Sequence, residues 1–146
     1  MSDVHRHSAH VLRPPILWGL LVGGLQAASP LAVRWLEPAT VHALSIALIA
    51  LIAAIYIGFA VADGRPKVVA VESVVAAAFV VIAAAGVTGS AWLLVMGYAA
   101  HGGKDVWQHR TQFVRNTRWW PPFCAVVDLL VAAVLIIEIA VGVSFH

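Results

Sequence analysis

The chain of 146 residues is 62% hydrophobic and only 11% charged, with a mean hydropathy of +0.91. Soluble domains carry about 25% charged residues, so the composition excludes an ordinary water-soluble domain and predicts an integral membrane protein. The formal charge of +2 and pI near 9.1 rest on few charges and give no nucleic-acid footprint, while a lone cysteine, Cys124, excludes an intramolecular disulfide, a four-cysteine zinc site and an iron–sulfur cluster.

Residues 1–13 carry His5, Arg6, His7, His10 and Arg13 without apolar periodicity and read as a disordered cytoplasmic tail, whose histidines bind metal only adventitiously. Pro14-Pro15 then opens an apolar helix, Ile16 to Ala28, with Gly19 and Gly23 in a small-xxx-small pattern that lets helices approach closely. A cleaved signal peptide is the alternative, given the basic start and Ala27-Ala28-Ser29; Pro30 directly after Ser29 argues against it. Ser29 to Ala39 reads as a loop or short interfacial helix anchored by Trp35.

Val41 to Ala62 is the clearest span, with His42, Ser45 and Tyr56 its notable polar groups. Asp63-Gly64-Arg65-Pro66-Lys67 is a turn, and Val68 to Val87 is the next span, interrupted by Glu72 and Ser73 about one turn inside it. Thr88-Gly89-Ser90 turns the chain again before Ala91 to His109. Thr111 to Pro122 is a basic, aromatic connection with Arg115, Arg118, Trp119 and Trp120, and Phe123 to Val143 is the last span, carrying Asp128 and Glu138. Trp119-Trp120 read as an interfacial belt in preference to a lid, and Pro121-Pro122 suit the first turn of a helix.

Segments of about 20 residues match a hydrocarbon core of about 30 Å at 1.5 Å per residue. The predicted fold is therefore all-α: a polytopic membrane bundle of five transmembrane helices, or four if the first is cleaved or interfacial, in a single domain over 14–146. With five spans, Arg6, Arg13, Arg65, Lys67, Lys104, Arg110, Arg115 and Arg118 share one side and Arg34 stands alone on the other. That asymmetry predicts the bacterial inner membrane with a cytoplasmic N-terminus.

The fourth span carries the chemistry. At about 100° per residue, Tyr98, His101, Asp105, Gln108 and His109 fall on one helical face. Ionisable groups facing hydrocarbon cost at least a few kcal/mol each, so this stripe should face a bundle interior or a wet cavity. Glu72 lies about 7 Å into the third span and Asp128 about 9 Å into the fifth, at comparable depth from the same side. One inner-leaflet pocket is expected from Glu72, His101, Asp105, His109 and Asp128, with Tyr56, Asp63, Tyr98 and Gln108 on its wall.

Three readings of that pocket follow. His101 with Asp105, or Asp105 with His109, can share a divalent metal at i, i+4 spacing, with further ligands from neighbouring helices. Acid–base chemistry without metal, with His101, Asp105, Glu72 and Asp128 as catalytic groups, would suit a small apolar ligand of isoprenoid or sterol type. In the non-catalytic reading the same residues are interhelical partners in a structural bundle or accessory subunit, alone, as a homo-oligomer or in a larger membrane complex, with Lys104, Arg110 and Arg65 snorkelling. Haem is disfavoured because His42 and His146 lie at the outer end and His101 and His109 at the inner one. Gly102-Gly103 serve close packing or a kink, since no strand precedes them as a phosphate loop requires.

The segments Tyr56 to Arg65, Gly97-Tyr-Ala-Ala-His-Gly-Gly-Lys-Asp-Val-Trp-Gln-His-Arg110 and Arg118-Trp-Trp-Pro-Pro-Phe-Cys-Ala-Val-Val-Asp128 resemble those of small multi-pass bacterial membrane proteins. This resemblance implies the fold and carries no activity. A distant likeness of pattern links the His and Glu placement to the five-helix sterol isomerases of the emopamil-binding type.

Overall fold

The computed structural model describes residues 14–26, 28 and 38–142, apart from the side chains of 38–46, 87 and 88. The described residues form five helices and no strand: α1 over 14–26, α2 Pro38–Asp63, α3 Pro66–Thr88, α4 Trp92–Thr111 and α5 Trp120–Ala140. The tail over 1–13, most of the connection anchored by Trp35, and the side chains of His42 and Ser45 lie outside these residues.

Local chemistry sets the boundaries. Gly64 takes φ +78, a left-handed conformation that glycine adopts without steric cost, and Pro66 then occupies the first turn of α3, where its missing N–H is no loss. Gln112 closes α4 at φ 50 and donates its N–H to Gln108 O over 2.8 Å, a left-handed cap in a place glycine usually fills. The fifth helix begins at Trp120, ahead of the expected Phe123, because both prolines are accepted inside its first turn.

Helix α4 packs chiefly on α5, α2 on α3, and α3 on α4. The α4–α5 contact is close at Gly102, where a Cβ would lie 3.0 Å from Leu129 Cγ, whereas Gly103 faces open space. Helix α1 lies against α5 through its small residues: a Cβ at Gly19 would stand 2.8 Å from Phe123 O, and one at Gly23 3.1 Å from Val127 Cα. The small-xxx-small pattern is thus used within the chain.

Apolar side chains lie both in the interior of the bundle and on its surface. Small and aromatic side chains, among them Ala53, Ala76, Phe79, Ala83 and Tyr98, fill one core cluster, and Tyr56, Ala60, Val68 and Val114 fill another. Glu72, His101, Asp105, Gln108 and Asp128 are buried beside them. Val61, Val74, Val81, Met96 and Ile137, by contrast, are each at least 60% exposed. Pro66–Gly86 and Trp120–Ala140, with mean hydropathy 2.5 and 2.6, are long and apolar enough to cross a membrane, and Ala47–Asp63 is a shorter apolar stretch.

Candidate functional site

Helical periodicity places His101 and Asp105 one turn apart on the inward face of α4, and the close approach at Gly102 brings Asp128 of α5 against them. His101 Nδ1 lies 2.7 Å from Asp128 Oδ2 and 3.3 Å from Asp105 Oδ2. All three side chains are buried, and one ligand-type atom from each falls within 4.8 Å of the others. Tyr56 of α2 donates its hydroxyl to Asp105 Oδ1 at 2.5 Å, whereas no hydrogen bond from the described residues reaches Asp105 Oδ2. The imidazole is held edge-on by Phe79, with ring centroids 4.9 Å apart, and by Tyr56 at 6.0 Å.

A second pair adjoins this triad. Lys104 Nζ lies 2.8 Å from Glu72 Oε2 of α3 and 3.4 Å from the centroid of the Tyr56 ring. The expectation that Lys104 snorkels outward is thereby corrected: its stem would otherwise lie in apolar surroundings, and a buried carboxylate and an aromatic face draw the ammonium inward. Glu72 Oε1 is buried without a hydrogen-bond partner among the described residues.

The remaining expected residues separate from the centre. Half-buried His109 is outside the ligand-type group, its Nδ1 without a hydrogen-bond partner, because a further turn of α4 carries it towards the loop. Gln108 is buried and donates Nε2 to Val114 O over 2.6 Å, which fixes the connection to α5. Tyr98 receives Gln26 Nε2 at 3.1 Å, which ties α1 to α4. Asp63 joins a latch at the helix ends: Arg65 donates to both of its carboxylate oxygens, at 2.5 and 2.7 Å, and Arg115 N donates at 2.8 Å. Arg65 also donates to Phe113 O over 2.6 Å, which fastens the α2–α3 turn to the α4–α5 loop. Hydrogen bonding from Arg65 holds the Asp63 carboxyl far below the usual carboxylate range, and Asp63 in turn raises the Arg65 guanidinium.

A crevice lined by Ile49, Ile52, Gly97 and Tyr98 ends on His101 and Asp128, with room for about one water-sized molecule. This space is far smaller than an isoprenoid or sterol, so such a molecule reaches the triad only if α2 and α4 part around Ile49 and Ile52.

Tyr56 was expected on the wall and instead bonds the triad directly, and Lys104 was missed. Helical rise gives the depth of a residue but not the direction it faces on a helix without a polar stripe. Comparison with protein-family models, curated proteins and solved structures finds no match.

Proposed function

We propose that this chain is a multi-pass protein of the bacterial inner membrane, N-terminus cytoplasmic, whose His101–Asp105–Asp128 centre binds a divalent transition-metal ion. A metal held by these three residues would supply Lewis-acid chemistry towards a small apolar molecule that enters from the bilayer. One observation carries the metal reading: a nitrogen and two carboxylate oxygens from two helices converge within 4.8 Å in a buried interior.

Donor atoms in a tetrahedral site with bonds of about 2.0–2.2 Å stand about 3.4 Å apart; the 3.3 Å separation of His101 Nδ1 and Asp105 Oδ2 matches that value, and the 2.7 Å His101–Asp128 hydrogen bond would open as its proton gives way to an ion. Asp105 Oδ2, 3.3 Å from His101 Nδ1 and without a hydrogen bond among the described residues, supplies a further acceptor. Charge counting agrees. With His101 ligating as a neutral imidazole, ionised Asp105, Asp128 and Glu72 against Lys104 would leave two negative charges, which a divalent cation cancels. The imidazole donor favours zinc or iron over magnesium and calcium, and the two carboxylates admit manganese. Tyr56, bonded to Asp105, is the nearest proton-carrying group, and His101, Asp105, Glu72 and Asp128 form the reactive surround.

The membrane setting is supported by the apolar coat, the two helices of spanning length and a basic end formed by Arg65, Lys67, Arg110, Arg115 and Arg118. The test is elemental analysis of detergent-purified protein in which His5, His7 and His10 are alanine, after incubation with zinc, manganese or iron. The expected result is one ion per chain, falling below about a tenth in Asp128→Asn and Asp105→Asn. A wild-type chain that holds none of the three metals refutes the reading.

The mutual pairing of Lys104 with Glu72 and of Tyr56 with Asp105, together with the small crevice, favours a second reading: a non-catalytic bundle or accessory subunit. A metal-free chain that is stable only within a larger membrane complex would select it.

A further inference from the structure

The end of the bundle remote from the crevice carries charge that the site does not use. Lys67 at the start of α3, Arg110 at the end of α4 and Arg118 in the following loop are exposed, and among the described residues none of them makes an ion pair. Asp63, the acidic residue of that end, is taken up by Arg65 and the Arg115 backbone, so it cannot neutralise them. The latch also holds the loop against the α2–α3 turn through Phe113 O, which keeps these cations on one surface.

The same surface offers orphaned hydrogen-bond donors. Asn116 and Trp120 are half-buried, and among the described residues Asn116 Nδ2, Asn116 Oδ1 and Trp120 Nε1 have no hydrogen-bond partner, nor has His109 Nδ1, a donor or an acceptor according to its tautomer. Buried donors without partners cost about 1–3 kcal/mol each, a cost removed by an acceptor from outside the chain. Aromatic rings border the region: Trp119 and Trp120 pack at 5.2 Å, Trp120 and Phe123 at 5.7 Å, and Trp107 and Phe113 at 5.4 Å. Trp107 and Trp119 remain 46% and 44% exposed. Unpaired cations, unsatisfied N–H groups and half-exposed indoles at one end of the bundle match an anionic headgroup above an acyl chain, because phosphate takes the charge and the hydrogen bonds while the rings lie at the interface.

We infer that this end binds the phosphate headgroup of an anionic phospholipid of the inner leaflet, with Lys67, Arg110 and Arg118 as the charge contacts and Asn116 and Trp120 as donors. Each cation near such a surface contributes about a fivefold gain in affinity. The inference rests on the membrane setting proposed above but not on the metal, so the metal reading can fail without it.

The test is native mass spectrometry of the full chain in neutral detergent, titrated with dioleoyl-phosphatidylglycerol or dioleoyl-phosphatidylcholine. Expected is a retained phosphatidylglycerol adduct, at least tenfold preferred over phosphatidylcholine and reduced about fivefold in Arg118→Gln and more in Lys67→Gln/Arg110→Gln/Arg118→Gln. Trp120→Phe keeps the ring and removes the donor, and is expected to weaken the adduct at unchanged helicity. Equal retention of the two lipids, or an unchanged preference in folded Arg118→Gln and in folded Trp120→Phe, overturns the inference. Displacement of phosphatidylglycerol by millimolar inorganic phosphate assigns the surface to a free anion and overturns it as well.

Discussion

Replacing Tyr56 by phenylalanine removes one oxygen and leaves the ring, so packing against Phe59 and His101 is kept while Asp105 Oδ1 loses its 2.5 Å donor. Asp105 is fully buried and its other oxygen already lacks a hydrogen bond, so water cannot replace the lost partner. Hydrogen bonds to charged groups are worth about 1.5–3 kcal/mol in water-soluble proteins, and interhelical ones in membrane bundles average about 0.6 and reach about 1.7, the upper end suiting a fully buried carboxylate. The overlap sets the expected loss at about 1.5 kcal/mol, or about 3–6 °C in Tm for a chain of this size. Thermal unfolding in detergent, followed by far-ultraviolet circular dichroism, measures it. A double-mutant cycle with Asp105→Ala isolates the pair, with an expected coupling of about 1–1.5 kcal/mol. Coupling below about 0.3 kcal/mol would refute the reasoning, because the hydroxyl and the carboxylate would then not be joined in the folded protein.

Three further outcomes test other parts of the structure. Gly102→Ala and Gly103→Ala gain the same helix propensity of about 1 kcal/mol, but only the first meets Leu129 at 3.0 Å, so it should be less stable than Gly103→Ala by about 1–3 kcal/mol in the same melt. Lys104→Met or Glu72→Gln alone leaves a buried charge unpaired and should each destabilise more than the double variant, as read by urea-induced loss of tryptophan anisotropy. Asp63 is depressed below the ordinary carboxylate pKa, so the latch contribution is complete above about pH 4 and is lost as pH falls through the lower folded value. Hydrogen exchange at the Arg115 amide should stay slow from pH 7 to pH 5, and should already be fast at pH 7 in Asp63→Asn.

The helical architecture could be read in the chain because apolar runs alternate with residues that cannot continue them. Gly64 with Pro66, Gly89 with Ser90, and Pro121-Pro122 mark helix ends within a few residues. The stripe on α4 was equally legible: Tyr98, His101, Asp105 and Gln108 recur at three- and four-residue spacing, and the structure buries all of them. Partner choice was not legible. Glu72 and Asp128 share a similar depth, yet Asp128 faces His101 and Glu72 faces Lys104, because the direction each faces depends on how α3 and α5 rotate against α4. The latch could not be foreseen either, since it joins Asp63 to Arg115 through a loop whose path the sequence pattern does not fix.

The polar interior of α4 has a consequence for how the chain enters a bilayer. Lys, Arg and Asp at mid-depth each oppose insertion by about 2.5–3.5 kcal/mol, and α4 carries Lys104 and Asp105 where its partners are Glu72, Tyr56 and Asp128. In the proposed setting this helix is a poor passenger on its own. Tyr56 and Glu72 are synthesised before it and Asp128 after it, so the ribosome must deliver α5 before the carboxylate that completes the triad is present. On the proposed reading α4 and α5 would therefore enter together as a hairpin, with assembly of the buried centre coinciding with commitment of the chain to the membrane.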